Sequence, residues 1–184
     1  MGASVKLLLI AATLAASACA SAPAATIDDK SFTDAQGLRA IQLSVWLNAP
    51  PSDVYRSIAT VEGWKTWAVE SAFGEVKIGG VMETSYNANA KAGDPANIKQ
   101  EFLALVPDRL VVFRTIQTPP GFPHPELYMK TVAVMQLQPE AGGARLTFTH
   151  EGFGAEPGFS DLYDFFLKGD TETMESLRKL FSAR

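Results

Sequence analysis

Apolar and polar residues alternate in short runs along most of the chain, which is the pattern of half-buried β-strands. The first run, 38–47, places four aliphatic residues on one face and Gln42, Ser44 and Trp46 on the other. Further strands are predicted at 72–78, 81–86, 98–105, 109–118, 127–138 and 144–151. Gly79-Gly80 separates two of these runs and predicts a hairpin turn.

Two short helices are predicted between the first and second strands. Pro50-Pro51 ends the first strand, and Ser52 is expected to cap a helix over 53–59. Gly63 is expected to break this helix, and a second helix is predicted over 64–69.

The C-terminal segment has the most regular helical pattern, with Ser160 as its expected cap. Its apolar face falls within a wedge of about 120°. The centre of this face carries the small residues Gly169 and Thr173, with bulky residues on either side. We expect this waist to leave an internal cavity. The alternative is that Gly169 marks a kink and that large side chains from the sheet fill the gap.

The order of predicted elements is one strand, two short helices, about six strands and a long helix. This is an α+β layout, in which a curved antiparallel sheet of six to seven strands buries its apolar face against the terminal helix. The chain has 184 residues, of which 47% are hydrophobic and 20% charged, as in a soluble globular protein. We expect one domain over 27–184.

The net charge and the scarcity of cysteine and histidine disfavour several classes of function. The net charge is −4 and no run of Lys or Arg occurs, which disfavours nucleic acid as a partner. Cys19 is the only cysteine, and His124 and His150 are the only histidines, so no Cys/His zinc site is expected. No cofactor motif is found.

Residues 1–26 have the three-part pattern of an export signal: Lys6, an apolar run over 7–16, and small residues after it. We therefore expect the protein to be exported to the periplasm. The sequence around Cys19 resembles a lipobox, which would lipidate Cys19 and anchor the protein to a membrane. Cleavage after Ala18, Ala20 or Ala24 is the alternative.

Several motifs resemble the SRPBCC (START-like, helix-grip) superfamily, in particular its bacterial AHSA-type branch. They are Trp64-x-x-Trp67, Phe73-Gly74, Gly79-Gly80, Tyr86 and the closing Leu-Thr-Phe-Thr-His-Glu-Gly-Phe of 146–153. The resemblance covers about residues 37–183 and implies a helix-grip fold with a mainly apolar ligand cavity. It implies no particular activity, because the superfamily contains lipid carriers, hormone-binding proteins and cyclases. An exported chain would not meet the cytosolic chaperone for which the AHSA-type branch is named.

The strand alternation predicts which side chains face the cavity. The inward sets are Leu146, Phe148 and His150; Gln100, Phe102, Ala104 and Val106; Met129, Thr131, Ala133, Met135 and Leu137; and Val111 and Phe113. The predicted ligand-binding residues are Trp67, Phe73, Met82, Tyr86, Gln100, Phe102, Phe113, Met129, Met135, Phe148, His150, Phe166, Gly169, Asp170 and Thr173.

His150 and Asp170 are the candidate catalytic residues, since they are the only titratable pair predicted to converge. Each has an ordinary alternative: His150 satisfies a neighbouring backbone group, and Asp170 caps a half-helix after Gly169. Phe122, in the proline-rich loop 118–125, is a candidate lid.

Three functions remain open. The first is binding of a small hydrophobic molecule (a lipid, isoprenoid, quinone or aromatic compound) in the cell envelope. The second is a cyclase- or hydrolase-like enzyme using His150 and Asp170 in the same cavity. The third is a protein-interaction or chaperone-activator-like module that acts through its surface.

Overall fold

The computed structural model describes residues 26–182, so residues 1–25 of the predicted leader, including Cys19, lie outside the described residues. The strands are β1 Asp28–Asp29, β2 Phe32–Thr33, β3 Arg39–Leu47, β4 Ser71–Gly74, β5 Val81–Ser85, β6 Ile98–Val106, β7 Leu110–Gln117, β8 Val132–Glu140 and β9 Gly143–Phe153. The helices are α1 Pro51–Ile58, α2 Val61–Trp64, α3 Pro125–Tyr128 and α4 Phe159–Ser182.

All strands belong to one antiparallel sheet in the order β1-β3-β9-β8-β7-β6-β5-β4, and β2 also pairs with β3. The central helix α4 packs against β3 and β9. This arrangement confirms the predicted α+β helix-grip fold, in which the curved sheet wraps around the long C-terminal helix. No helix within residues 26–182 is long and apolar enough to cross a bilayer.

The register of β3 against β9 places the apolar residues of both strands on one face of the sheet. Leu43 pairs with Phe148, and Val45 pairs with Leu146. These side chains are buried and belong to the core. Because directly paired residues project to the same side of a sheet, both strands present their apolar residues to α4.

The short helices begin at other positions than predicted. Helix α1 starts with Pro51 at its first turn and has no side-chain cap, so Ser52 lies inside the helix. The side chain of Thr60 caps α2 by accepting a hydrogen bond of 2.9 Å from the backbone nitrogen of Gly63. Gly63 therefore lies inside the second helix and does not break the first. Likewise, Ser160 is not a cap, because α4 already begins at Phe159.

A β-bulge turns the side chains at the end of β6 to the side of the sheet opposite to the predicted one. The register shifts between Phe102 and Ala104, which leaves Leu103 as the extra residue. After the bulge, Leu105 pairs with Val111 and packs against the core. Val106 is exposed. The prediction that Ala104 and Val106 face inward is therefore wrong.

The segment before β8 is helical and not extended. Helix α3 occupies Pro125–Tyr128, and β8 begins only at Val132. Met129 follows this helix and is 38% exposed, so its predicted place on an inward strand face is wrong. Thr131, Ala133, Met135 and Leu137 are buried as predicted.

Candidate functional site

A cavity of about 210 Å³ lies between α4 and the inner face of the sheet. Its lining comes from α4, the turn after α2, the proline-rich loop and strands β5–β9. The lining residues are Trp64, Ala68, Val69, Thr84, Tyr86, Ile98, Gln100, Phe113, Arg114, Thr115, Phe122, Tyr128, Thr131, Ala133, Met135, Phe148, His150, Phe165, Phe166, Gly169, Asp170 and Thr173. Most of these side chains are apolar, as in sites that bind small organic molecules.

Gly169 creates part of this space. A Cβ atom added to Gly169 would have nothing within 4 Å beyond the neighbouring backbone of its own helix. Glycine in a helix interior costs about 1 kcal/mol relative to alanine, and no close packing requires it here. Helix α4 is continuous from Phe159 to Ser182, so Gly169 does not end one helix and start another. The predicted waist of small residues is therefore present and borders the cavity.

Aromatic rings form the wall on the side of the proline-rich loop. The ring of Phe122 stacks on Tyr128 with a centroid distance of 5.3 Å and meets Phe165 edge-on at 5.8 Å. Tyr128 in turn contacts Phe166 at 4.4 Å. Phe165 is exposed whereas Phe122 is half-buried, so this cluster borders the opening of the cavity. Phe122 thus lies where a lid residue would lie.

The loop that carries Phe122 is fixed to the start of α4. His124 has a left-handed backbone (φ 47°) and precedes α3. A Cβ atom at Gly158 would lie 2.7 Å from Nδ1 of His124, so the imidazole packs directly on this glycine. His124 therefore holds the loop in place and does not line the cavity.

His150 connects the sheet to α4 at the cavity wall. Its Nδ1 lies 3.0 Å from Oδ2 of Asp170, and its Nε2 lies 2.8 Å from Oγ1 of Thr131. The ring is 3% exposed and is packed edge-on by Phe153 at 4.8 Å and Phe166 at 4.7 Å. The structure thus brings together the two predicted catalytic candidates, and it adds Thr131 to them.

Hydrogen bonds engage both ring nitrogens of His150. The Thr131 hydroxyl lies 2.8 Å from the carbonyl oxygen of Tyr128 and 2.8 Å from Nε2 of His150, so it connects the imidazole to the end of α3. On the other side of the ring, Nδ1 contacts the carboxylate of Asp170. Both ring nitrogens of His150 have partners, and neither is free to bind a ligand.

A strip of polar side chains crosses the inner face of β5, β6 and β7. Thr84, Gln100 and Thr115 are all buried, and Gln100 is paired with Thr115 across the strands. Oγ1 of Thr84 lies 3.5 Å from Oε1 of Gln100, at the limit of a hydrogen bond. Oγ1 of Thr115 is buried and has no hydrogen-bond partner among residues 26–182.

The hydroxyl of Tyr128 lies beside this strip. Burial raises the pKa of Tyr128 well above its usual value, approach to Thr115 lowers it, and the nearby charge of Asp170 raises it again. Among residues 26–182, Oγ1 of Thr115 has no hydrogen-bond partner, so the Tyr128 hydroxyl is its neighbour and not its partner. Tyr128 therefore remains a neutral phenol with a proton to donate.

Most of the predicted ligand-binding residues line the cavity. These are Tyr86, Gln100, Phe113, Met135, Phe148, His150, Phe166, Gly169, Asp170 and Thr173. Tyr86 is 72% exposed and lies just after β5, so it borders the opening.

The other predicted residues lie elsewhere. Met82 and Phe102 are fully buried in the core beside the cavity. Trp67 packs against Trp64 with tilted rings and a centroid distance of 5.3 Å, and it donates its indole N–H to the carbonyl of Ser57. Phe73 belongs to the short edge strand β4, and Met129 is on the surface. These five residues do not contribute to the cavity lining.

Sequence reasoning missed several polar lining residues, and Thr115 and Tyr128 are two for which signals were available. Thr115 continues the alternation of Val111 and Phe113, so the same pattern assigns it to the inner face. Tyr128 falls in the segment 127–138 that the alternation predicts as a strand, although Pro125 is typical of the first turn of a helix.

No group of three or more His, Cys, Asp or Glu side chains that would hold a metal ion occurs within the part of the chain that the structure describes. The polar groups of the cavity are hydroxyls, one amide, one imidazole–carboxylate pair and the guanidinium of Arg114, which is paired with Glu101. This set is suited to hydrogen bonding with an organic molecule.

Three solved structures have a similar fold at low sequence identity. The Aha1 dimer from Colwellia psychrerythraea matches with 19% identity and a TM-score of 0.61, over 77% of this chain and 95% of that chain. Protein MLL2253 from Mesorhizobium loti matches with 18% identity and a TM-score of 0.62, over 79% of this chain and 98% of that chain. CalU16 from Micromonospora echinospora matches with 16% identity and a TM-score of 0.59, over 86% of this chain and 84% of that chain. At these identities the likeness concerns the fold alone.

A comparison with curated protein sequences finds no match. The family model described as "Activator of Hsp90 ATPase homolog 1-like protein" matches residues 48–182. This range includes α1 to α4 and all residues that line the cavity. Because the model spans well over half of the sequence, the chain belongs to the family of Activator of Hsp90 ATPase homolog 1-like proteins.

Proposed function

We propose that the protein binds a small, mainly aromatic molecule in the cavity between α4 and the sheet. The observation that carries this proposal is the open space beside Gly169, in a helix that is otherwise well packed against β3 and β9. An alanine there would favour the helix, so the absence of a side chain is best explained by a requirement for space.

The volume limits the size of the ligand. An engineered apolar cavity of about 150 Å³ binds benzene, whereas drug-sized ligands occupy about 300–1,000 Å³. A cavity of about 210 Å³ therefore suits one aromatic ring with a short substituent. A long acyl or isoprenoid chain would extend out through the opening near Tyr86 and Phe165.

The nature of the lining favours an aromatic ligand among the hydrophobic classes. Phe113 meets Trp64 edge-on at 5.6 Å, and the rings of Tyr128 and Phe166 lie on the side of the loop. Aromatic rings gain about 0.5–1.5 kcal/mol from offset or edge-on contacts beyond the burial of their area. The export signal predicted at 1–26 would place this binding in the cell envelope.

Binding is better supported than acid–base catalysis. Both nitrogens of His150 already have hydrogen-bond partners, Thr131 and Asp170, so the imidazole is not free to accept a proton from a ligand. A reaction at this pair would first have to break one of these contacts.

Isothermal titration of the purified protein with α-methylstyrene tests the proposal. We expect saturable binding of one molecule per chain, and no binding to Gly169→Leu, whose side chain would fill the cavity. Gly169→Ala is the matched control and should still bind. Failure of the natural protein to bind, or equal binding by Gly169→Leu, would overturn the proposal.

A further inference from the structure

Thr115 is an unusual buried group, because its side chain points to a cavity and lacks a partner. It is 3% exposed, and Oγ1 makes no hydrogen bond to any residue of the described part. Nearly all buried polar side-chain atoms in proteins are hydrogen-bonded, and an unpaired one costs about 1–3 kcal/mol. Since Thr115 lines the cavity, a ligand group is the natural partner.

Other hydrogen-bond donors lie next to Thr115. The neutral hydroxyl of Tyr128 approaches it, and Gln100 is its direct neighbour on β6. Oε1 of Gln100 faces Thr84, which leaves the amide Nε2–H groups of Gln100 as donors. Gln100 is 7% exposed and also lines the cavity. Three side chains with protons to donate therefore lie together.

The charges around the cavity disfavour an anionic ligand. The only carboxylate of the lining is Asp170, which is close enough to Tyr128 to affect its pKa. Among the lining residues, the Arg114 guanidinium is paired with Glu101 at 2.8 Å, and His150 is engaged at both nitrogens. A bound carboxylate would thus find no free cation and would pay the full cost of leaving water.

We propose that the cavity selects a neutral aromatic ligand that bears one carbonyl oxygen, which accepts hydrogen bonds from Thr115 and Tyr128. This inference rests on the proposed function and deepens it by naming the ligand class. A carbonyl oxygen has two lone pairs and so can accept from both hydroxyls at once. A cationic ligand would satisfy Asp170 but would leave the donors of Thr115 and Tyr128 unpaired.

Four probes of similar size and with the same number of non-hydrogen atoms test the inference. Acetophenone carries the carbonyl, α-methylstyrene has a methylene in its place, benzoate is an anion, and benzamidine is a cation. We expect acetophenone to bind roughly five- to tenfold more tightly than α-methylstyrene, which is the gain from about one net hydrogen bond. Benzoate and benzamidine are expected to bind more weakly than either.

Two variants test whether Thr115 and Tyr128 cause the preference for acetophenone over α-methylstyrene. Thr115→Val and Tyr128→Phe should each reduce the ratio of acetophenone to α-methylstyrene affinity, and the double variant should bring it near one. The matched control is Thr147→Val, a change of the same type on β9 at a residue that does not line the cavity. It should leave the ratio unchanged. Binding of α-methylstyrene reports that each variant has kept its cavity.

The outcomes separate this inference from the proposed function. Binding of α-methylstyrene with no preference for acetophenone would overturn the inference and leave the proposed function standing, as would tightest binding of benzoate or benzamidine. A preference that persists in the double variant would also overturn it. If no probe binds, the proposed function itself fails.

Discussion

Replacement of Gly169 tests the account most sharply, because a large side chain there is expected to stabilise the fold and at the same time to abolish ligand binding. Gly169→Ala adds a methyl group to a place with nothing within 4 Å. The helix then gains the difference in propensity, about 0.5–1 kcal/mol, since glycine loses more backbone freedom on folding. Gly169→Leu adds three further carbons, each worth up to about 0.8 kcal/mol if it is buried against the aromatic wall.

We therefore expect the free energy of unfolding to rise by about 0.5–1 kcal/mol for Gly169→Ala, and by about 1–3 kcal/mol for Gly169→Leu. Urea unfolding, with the slope m compared between proteins, measures both changes and detects any loss of two-state behaviour. On thermal unfolding, each kcal/mol should raise Tm by roughly 2–4 °C in a domain of this size.

The reasoning fails if Gly169→Ala lowers the free energy of unfolding. That result would mean that Gly169 is needed for close packing or for a bend of α4, and the space beside it would then have no significance for a ligand. A stable Gly169→Leu protein that has lost binding would instead show that the cavity is needed for binding and not for folding.

Three further predictions concern the polar groups of the cavity. Thr115→Val removes an unpaired buried hydroxyl and should raise the free energy of unfolding of the ligand-free protein by about 1–2 kcal/mol in urea unfolding; a loss of stability would show that Oγ1 has a partner. Asp170→Ala leaves buried His150 without its Nδ1 partner and should cost about 1–3 kcal/mol, whereas Asp170→Asn keeps an acceptor and should cost less; equal losses would contradict the hydrogen bond. Burial, as the largest cause, raises the pKa of Tyr128, so the folded protein holds the phenol proton more tightly than the unfolded chain. The resulting stability is present below the pKa of an unfolded tyrosine, about 10, and is lost as pH rises above it. Unfolding measured across that alkaline range should therefore show a shallower decline for Tyr128→Phe than for the natural protein, and parallel declines would refute the assignment.

The large elements of the fold were predictable because their patterns are long and regular. The alternation through 38–47 and 144–151 defined the inward faces of β3 and β9, and the wedge of apolar residues defined α4. Local irregularities were not predictable in the same way. A bulge at Leu103 shifts every later residue of β6 by one, and nothing in an apolar run shows where the extra residue will be placed.

The candidate site was predicted less completely than the fold. The small-residue waist at Gly169 and the convergence of His150 with Asp170 were both visible in the sequence, and the structure places them together at the cavity. The contacts of Thr131 were not visible, because its hydroxyl meets the carbonyl oxygen of Tyr128 only through the short helix α3. Strand alternation does not reveal such a helix.

The most direct test of the central claim, that this cavity binds a small aromatic molecule, is an NMR titration with methionine methyl groups as reporters. Met135 lines the cavity, Met82 and Met174 are buried outside it, and Met129 lies on the surface. Addition of α-methylstyrene is predicted to shift the methyl signal of Met135 saturably through the ring current of the ligand, with smaller changes at the other three. An unshifted Met135 signal at saturating probe, or a larger shift at Met129 than at Met135, would contradict the account.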